Sequence, residues 1–246
     1  MFKDGKKSNH ILDSLPAKER ERLAAYLELV PMPLGAVIHE AGAAQTQVYF
    51  PIDCVVSLLY VLEDGGTAEV AIVGNDGLVG MPVITGGSKS SHRAIVQAAG
   101  TALRMQARNL REEFERAGAA QQILLRYSQA LMMQVGQTAV CNRHHNLDQQ
   151  LCRWLLMSID RLPSNDLTMT QELIANMLGV RREGVTEAAG KLQRTGAIRY
   201  QRGRITVLDR AQLESLCCEC YEAVRSEYMR LLPWDTTAIA NPLEAN

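Results

Sequence analysis

Residues 168–208 read TMTQELIANMLGVRREGVTEAAGKLQRTGAIRYQRGRITVL, and their spacing constrains the chain more than any other stretch. Ala175 is small enough for a second helix to cross close over the first. Gly179, four residues on, suits the left-handed backbone conformation that ends one helix and aims the chain at the next. Val185, six further, anchors the second helix, while Ile174, Leu178, Val180, Ala188 and Ala189 supply apolar surface between and beneath both. Each choice is common alone, but together they describe a helix-turn-helix. Residues 198–201 and 205–208 then alternate like two short strands, joined by Arg202-Gly203-Arg204 as a wing. The competing reading, an amphipathic helical hairpin with a solvated basic face, accounts for the spacing but not for the wing.

In such a motif the N-terminal end of the second helix reaches base edges in the major groove. Arg182, Glu183 and Thr186 fall at offsets zero, one and four and share one face there. Arginine can bond guanine O6 and N7 together, glutamate can accept from cytosine N4, and threonine can bond a base or touch a thymine methyl. Arg181, Lys191, Arg194, Arg202 and Arg204 are placed for phosphates, which set affinity and salt dependence rather than sequence choice. The whole chain has a formal net charge of −1, so attraction to nucleic acid must come from this local cluster of seven cations against two carboxylates over residues 181–204.

The rest of the chain divides by texture. After a polar lead, Ser14-Leu15-Pro16 opens a helix that the stripe Leu23, Tyr26, Leu27, Val30 carries to Pro31. Short apolar runs at 37–39, 47–51, 55–61, 68–73, 94–97 and 102–105 follow, with Asp64-Gly65-Gly66 as a hairpin turn. Strands at this spacing, with no helical pattern between them, point to a small double-sheet roll or barrel. A short helical stripe (Leu110, Phe114, Ala117) precedes a long helix over 119–141, on which Leu124, Tyr127, Leu131, Val135 and Thr138 recur at steps of three and four. That recurrence suits a self-dimerisation seam, and equally a helix packed on its own roll. Another amphipathic helix over 147–162 leads into the motif, and Asp209 caps a last helix running to Leu232. The fold class is therefore α+β: an N-terminal double-stranded, jelly-roll-like β-roll with flanking helices, a long dimerisation helix and a C-terminal winged helix-turn-helix. The expected domains are a sensor roll at 14–118, the dimerisation helix at 119–145, the DNA-binding domain at 146–232 and an extended tail at 233–246.

Hydrophobic residues make up 47% of the 246, and no run approaches a membrane span, so the class is globular rather than disordered or membrane-embedded. Six cysteines without a secretory signal fit a reducing cytoplasm. Cys141, His144, His145 and Cys152 are donors at one helix break, and Cys217, Cys218 and Cys220 lie on the last helix. The first group could converge on a metal but is more simply a buried thiol and a polar turn. Cys217 and Cys220 share a face and could bind metal or oxidise, but no second pair is nearby in sequence, so they are read as free thiols, with no metal and no cofactor expected.

With these parts in this order, the chain resembles the Crp–Fnr family of bacterial transcription regulators from about residue 15 to 208. The resemblance implies a cyclic-nucleotide-binding-type roll that senses a signal, a helix that dimerises, and a winged helix that binds palindromic promoter DNA, with RNA polymerase as a partner. Arg182 and Glu183 match the Arg-Glu pair that opens the family's recognition helix, and Thr186 stands where some members use serine. Glu187 departs, since many members carry arginine there as a base contact. The sensor half departs too. Nucleotide-binding members have a Gly-Glu pair and, after a loop, an Arg followed by a small residue; here Gly80 is followed by Met81, and the arginine position is Arg93-Ala94. The ribose-binding carboxylate is missing, so the effector is not expected to be a cyclic nucleotide. Members with an iron–sulfur cluster use several N-terminal cysteines, whereas only Cys54 precedes Cys141 here. His39, His92, His144 and His145 are each conceivable haem ligands with nothing to single one out. Two readings of other classes remain: a sensor that no longer binds DNA, and a cupin-like enzyme. The enzyme reading is disfavoured because His39 and His92 stand alone without a His-x-His pair.

Overall fold

A computed structural model describes residues 8–87 and 89–232, so the expected tail at 233–246 lies outside the described residues. The chain divides into two compact units, one of residues up to 58 together with 73–129, the other of residues 59–72 with 130–246.

The first unit opens with α1 (His10–Asp13) and α2 (Ala17–Ala24). Asn9 caps α1, its side-chain oxygen accepting from Ile11 N–H at 3.1 Å. Its amide nitrogen donates to the carbonyls of Pro51 (3.0 Å) and Gly77 (2.7 Å), so one buried side chain ties the lead to two distant segments. The helix expected to reach Val30 stops at Ala24. Residues 28–32 instead form β1 (Glu28–Met32), with Val30 and Met32 buried at alternate positions, a period of two that outweighs the helical stripe. Pro31 is tolerated because β1 is an edge strand.

The strands that follow are β2 (Val37–His39), β3 (Gln47–Pro51), β4 (Val55–Val61), β5 (Thr67–Val73), β6 (Arg93–Ala98) and β7 (Gly100–Gln106), close to the expected runs. They make two sheets in the orders β1-β7-β3 and β2-β6-β4-β5, with β7 antiparallel to both neighbours. This is the expected roll, without closure into a barrel. Val48, Phe50, Val96, Ala102 and Met105 form its apolar interior. The β4–β5 turn is built as Asp64-Gly65-Gly66 predicts: Gly66 N–H donates to Asp64 Oδ1 at 2.9 Å.

α3 (Ala107–Glu115) leads to α4 (Ala119–His144). The Glu19 carboxylate accepts from the first free amides of α4, Ala119 (3.1 Å) and Ala120 (2.7 Å), where a helix N-terminus favours negative charge. The face of α4 expected to form a dimer seam is largely used within the protomer. Leu124 and Tyr127 are buried in the first unit, the tyrosine hydroxyl donating to Leu78 O, and Thr138 is buried in the second. Leu131 and Val135 are half-buried. Periodicity could not separate the two faces because α4 is apolar on both: Leu125, Met132 and Val140 are exposed on the other.

The second unit contains α5 (Leu147–Ile159), β8 (Asp166–Thr168), α6 (Gln171–Leu178), α7 (Arg182–Arg194), β9 (Ile198–Gln201), β10 (Arg204–Val207), α8 (Arg210–Leu216) and α9 (Cys220–Leu231). Buried Gln134 of α4 completes the edge strand β5, accepting from Ile72 N–H (2.9 Å) and donating to Ile72 O (3.2 Å) and the Tyr228 hydroxyl (2.8 Å). The single last helix expected from residue 209 to 232 is two helices, interrupted at Cys217-Cys218-Glu219.

Asn9→Ala removes a cap and leaves two buried carbonyls without their donor. It should cost about 2–3 kcal/mol in urea unfolding; a change within about 0.5 kcal/mol, typical of surface substitutions, would show that the tie contributes nothing.

Candidate nucleic-acid interface

α6 begins where Thr170 accepts from Leu173 N–H (3.2 Å) and ends at Gly179, whose φ of 66° is the left-handed conformation the sequence requires. Val180 N–H then reaches back to Ala175 O at 3.0 Å and closes the turn. Ile174, Ala175, Leu178, Val185, Ala188, Ala189 and Leu192 are buried, as the motif predicts. Gly184 has a part that its sequence position does not announce: a Cβ there would lie 2.8 Å from Leu147 Cδ2, so its absence lets α7 pack directly on the start of α5.

With that face buried, Arg181, Arg182, Glu183, Thr186 and Glu187 are exposed along the first turns of α7. The Thr186 hydroxyl lies 2.8 Å from Gln171 Oε1 and 3.0 Å from Arg182 O. Its proton is thus held within the motif, leaving oxygen lone pairs to accept from a base amino group. Gln171, not singled out from the sequence, therefore sits beside the expected readers and keeps its amide donors for a ligand.

The wing is three-stranded, in the order β8-β10-β9. Its turn holds two residues rather than three: Arg202 (φ 49°) and Gly203 (φ 75°) are both left-handed, as a tight primed hairpin turn demands, and Arg204 pairs with Gln201 as the first residue of β10. Thr170, Gln171, Arg182, Tyr200 and Arg202 line one open recess, which brings the first arginine of α7 and the arginine of the wing tip to the same concave surface.

Two cations expected on phosphates are engaged elsewhere. Lys191 reaches both Asp148 and Glu187 at 3.1 Å, joining α5 to α7. The same pair explains Glu187, which stands one turn from Lys191 on α7 and neutralises it. Arg204 pairs with Asp166 at 2.7 Å across β10 and β8, and this bond, with that from Thr206, holds the Asp166 carboxyl below the usual range. Arg181, Arg182, Arg194 and Arg202 are exposed and make no ion pair among the described residues.

In the roll, Gly80 precedes a single 3-10 turn, Met81 is buried, and Ala94 is buried within β6. The Arg93 guanidinium lies 2.7 Å from the Glu40 carboxylate, so the arginine in the phosphate position already has an anionic partner. His39 and His92, which look isolated in sequence, have ring centroids 5.6 Å apart. Burial drives both imidazoles toward the neutral form, His39 down to about 4.

A family model for the Crp-like helix-turn-helix domain matches residues 149–216. No curated protein sequence matches the chain. Among solved structures, a regulator assigned to the Crp/Fnr family from Eubacterium rectale superposes with a TM-score of 0.62 at 19% identity, covering 84% of this chain and 96% of that one. FixK2 from Bradyrhizobium japonicum gives 0.64 at 16%, covering 78% and 98%. A CRP-family transcriptional regulator from Thermus thermophilus gives 0.62 at 21%, covering 76% and 95%. No described helix is long and apolar enough to cross a membrane. Residues 149–216 thus form a Crp-like helix-turn-helix domain, and the chain as a whole shares the fold of these Crp/Fnr-type regulators.

Proposed function

We propose that this protein binds palindromic promoter DNA as a homodimer, reading bases through Arg182, Glu183 and Thr186 and gripping phosphates through Arg181, Arg194 and Arg202. The observation that carries this reading is the exposure of Arg182 and Thr186 on the first turns of α7 beside a wing arginine on the same recess. Gln171 joins the reading face through its contact with Thr186. Lys191 and Arg204 act differently from free phosphate contacts: their ion pairs brace α7 and the wing.

The second protomer would lie along the exposed seam of α4, where Leu125, Met132 and Val140 are displayed with Gly136 between them. Two recognition helices are needed to read two half-sites, and an apolar helix face open to solvent supplies the contact. The roll is degenerate or takes an effector other than a cyclic nucleotide. Buried Met81 in place of a ribose-binding carboxylate, and the Arg93–Glu40 pair, both support this. RNA polymerase is the partner such a regulator would meet at a promoter.

Arg182→Ala should weaken binding to the best operator by ~1–3 kcal/mol and relax base choice at one position, measured by titration against a library of site variants. Unchanged affinity and selectivity would place the reading face elsewhere. Arg202→Ala should weaken binding to all sequences alike and lower the slope of log K against log salt by about one; a loss confined to particular sequences would make the wing tip a base reader. Met132→Glu should convert a dimer to monomers in sedimentation equilibrium, and a dimer that survives it would move the seam off this face.

A further inference from the structure

Two donor groups that are separate in sequence meet in the second unit. Cys141 lies on α4, and His145 follows one turn later, its N–H donating to Cys141 O at 3.0 Å, so both donors share one face. Cys218 and Cys220 come from the break between α8 and α9. In one continuous helix, residues two apart would point about 200° away from each other. The extended backbone at Cys217 turns both thiols toward α4 instead. Cys141 Sγ lies 3.6 Å from Cys218 Sγ, Cys220 Sγ lies 3.4 Å from His145 Nδ1, and all four donor atoms lie within 4.8 Å of one another.

The two short separations match edges of a tetrahedron around one ion. Zinc held at about 2.3 Å from sulfur and about 2.0–2.1 Å from nitrogen leaves edges of about 3.8 Å between sulfurs and about 3.6 Å between sulfur and nitrogen. The surrounding groups fit a ligand set rather than a cluster of inert thiols. The other ring nitrogen of His145 lies 3.3 Å from the Glu219 carboxylate, the arrangement that orients a metal-bound imidazole. Gln137 donates its amide to Cys220 Sγ at 3.1 Å. Arg153 is buried, donates to Thr138 Oγ1 at 3.1 Å, and makes no ion pair among the described residues.

We propose that Cys141, His145, Cys218 and Cys220 bind one zinc ion, with Glu219 as a positioning residue. Binding of Zn²⁺ forms three Zn–S bonds and one Zn–N bond and releases three thiol protons to solvent. The site then carries a net charge of −1, which the Arg153 guanidinium balances. No oxidation state changes. All four ligands are protein groups, so the site is closed and fastens the end of α4 to the α8–α9 junction rather than offering an open position for chemistry.

The test uses the full chain, freed of any affinity tag and purified from zinc-supplemented culture, with metal measured by mass spectrometry. About one zinc per chain is expected, and replacement by Co²⁺ should give intense tetrahedral d–d bands with a thiolate-to-cobalt charge-transfer band. Cys218→Ser and Cys220→Ser should each lower the zinc content about tenfold, and Glu219→Gln, a change at an exposed side chain, should weaken zinc affinity by about tenfold. Cys54→Ser should leave both unchanged. Because the cobalt spectrum is read on the unsubstituted chain, it decides the matter even if a cysteine variant fails to fold. The assignment is overturned by trace zinc with only a weak octahedral cobalt spectrum, by full zinc in both cysteine variants, by a Cys141–Cys218 disulfide in the protein as purified, or by an iron–sulfur absorption spectrum.

Discussion

The close approach of α7 to the helices beside it is the contact on which the rest of the DNA-facing surface depends. Ala175 on one side and Gly184 on the other remove side-chain bulk where the helices cross, and Val185, Ala188, Ala189 and Leu192 fill the remaining space. Because that face is buried in full, only one rotation of α7 is compatible with packing, and it leaves Arg182, Glu183 and Thr186 outward. A larger residue at either crossing would tilt the helix and re-aim all three proposed readers at once, since interiors at this density do not absorb a methylene without movement. The orientation of the proposed readers is thus set by small apolar residues rather than by those side chains themselves.

Charge in this region does two jobs that a count of cations cannot separate. Over residues 181–204 the sequence shows an excess of positive charge, yet Lys191 and Arg204 are tied to Asp148, Glu187 and Asp166. These are exposed pairs, each worth little to stability. Their effect is geometric: one joins α5 to α7, and the other joins β8 to β10. Of the arginines left without carboxylates, Arg181, Arg182 and Arg194 sit at the start and end of α7, Arg202 on the wing tip and Arg199 on β9. Partners at residues 148 and 166 lie far from the cation run in sequence, so this division was not legible before the fold was known.

Elements carried by a strict local signal were legible. The turn at Gly179 and most of the roll's strands needed only spacing and turn chemistry. Misread elements were those where two periodicities competed. In residues 23–30 a helical stripe and a two-residue alternation coexist, and pairing with β7 selected the strand from Glu28 onward. The last helix failed for a different reason. Nothing between Asp209 and Leu232 breaks a helix by propensity, since the segment holds neither glycine nor proline before residue 233. What stops it is tertiary: Cys218 and Cys220 both turn inward to meet Cys141 and His145. A chain pattern of Cys-x3-His followed much later by Cys-x-Cys was the available signal, and its long separation hid it.

α4 shows most clearly why a single chain leaves part of its own surface unexplained. Over its 26 residues apolar side chains occupy two faces. One is met from within: Leu124 and Tyr127 are buried in the first unit, while Ala130 and Thr138 are buried in the second. The other carries Leu125, 52% exposed, and Met132, 63% exposed, at a spacing of one heptad. A heptad step returns a side chain to nearly the same angle on the helix, so these two and Val140 define a stripe rather than scattered apolar positions. Scattered exposed hydrophobes need no partner, but an aligned stripe flanking Gly136 offers a second helix both apolar contact and close backbone approach. The sequence could show that apolar residues recur along α4. Which of its two faces stays open to a partner followed only once the chain itself had claimed the other.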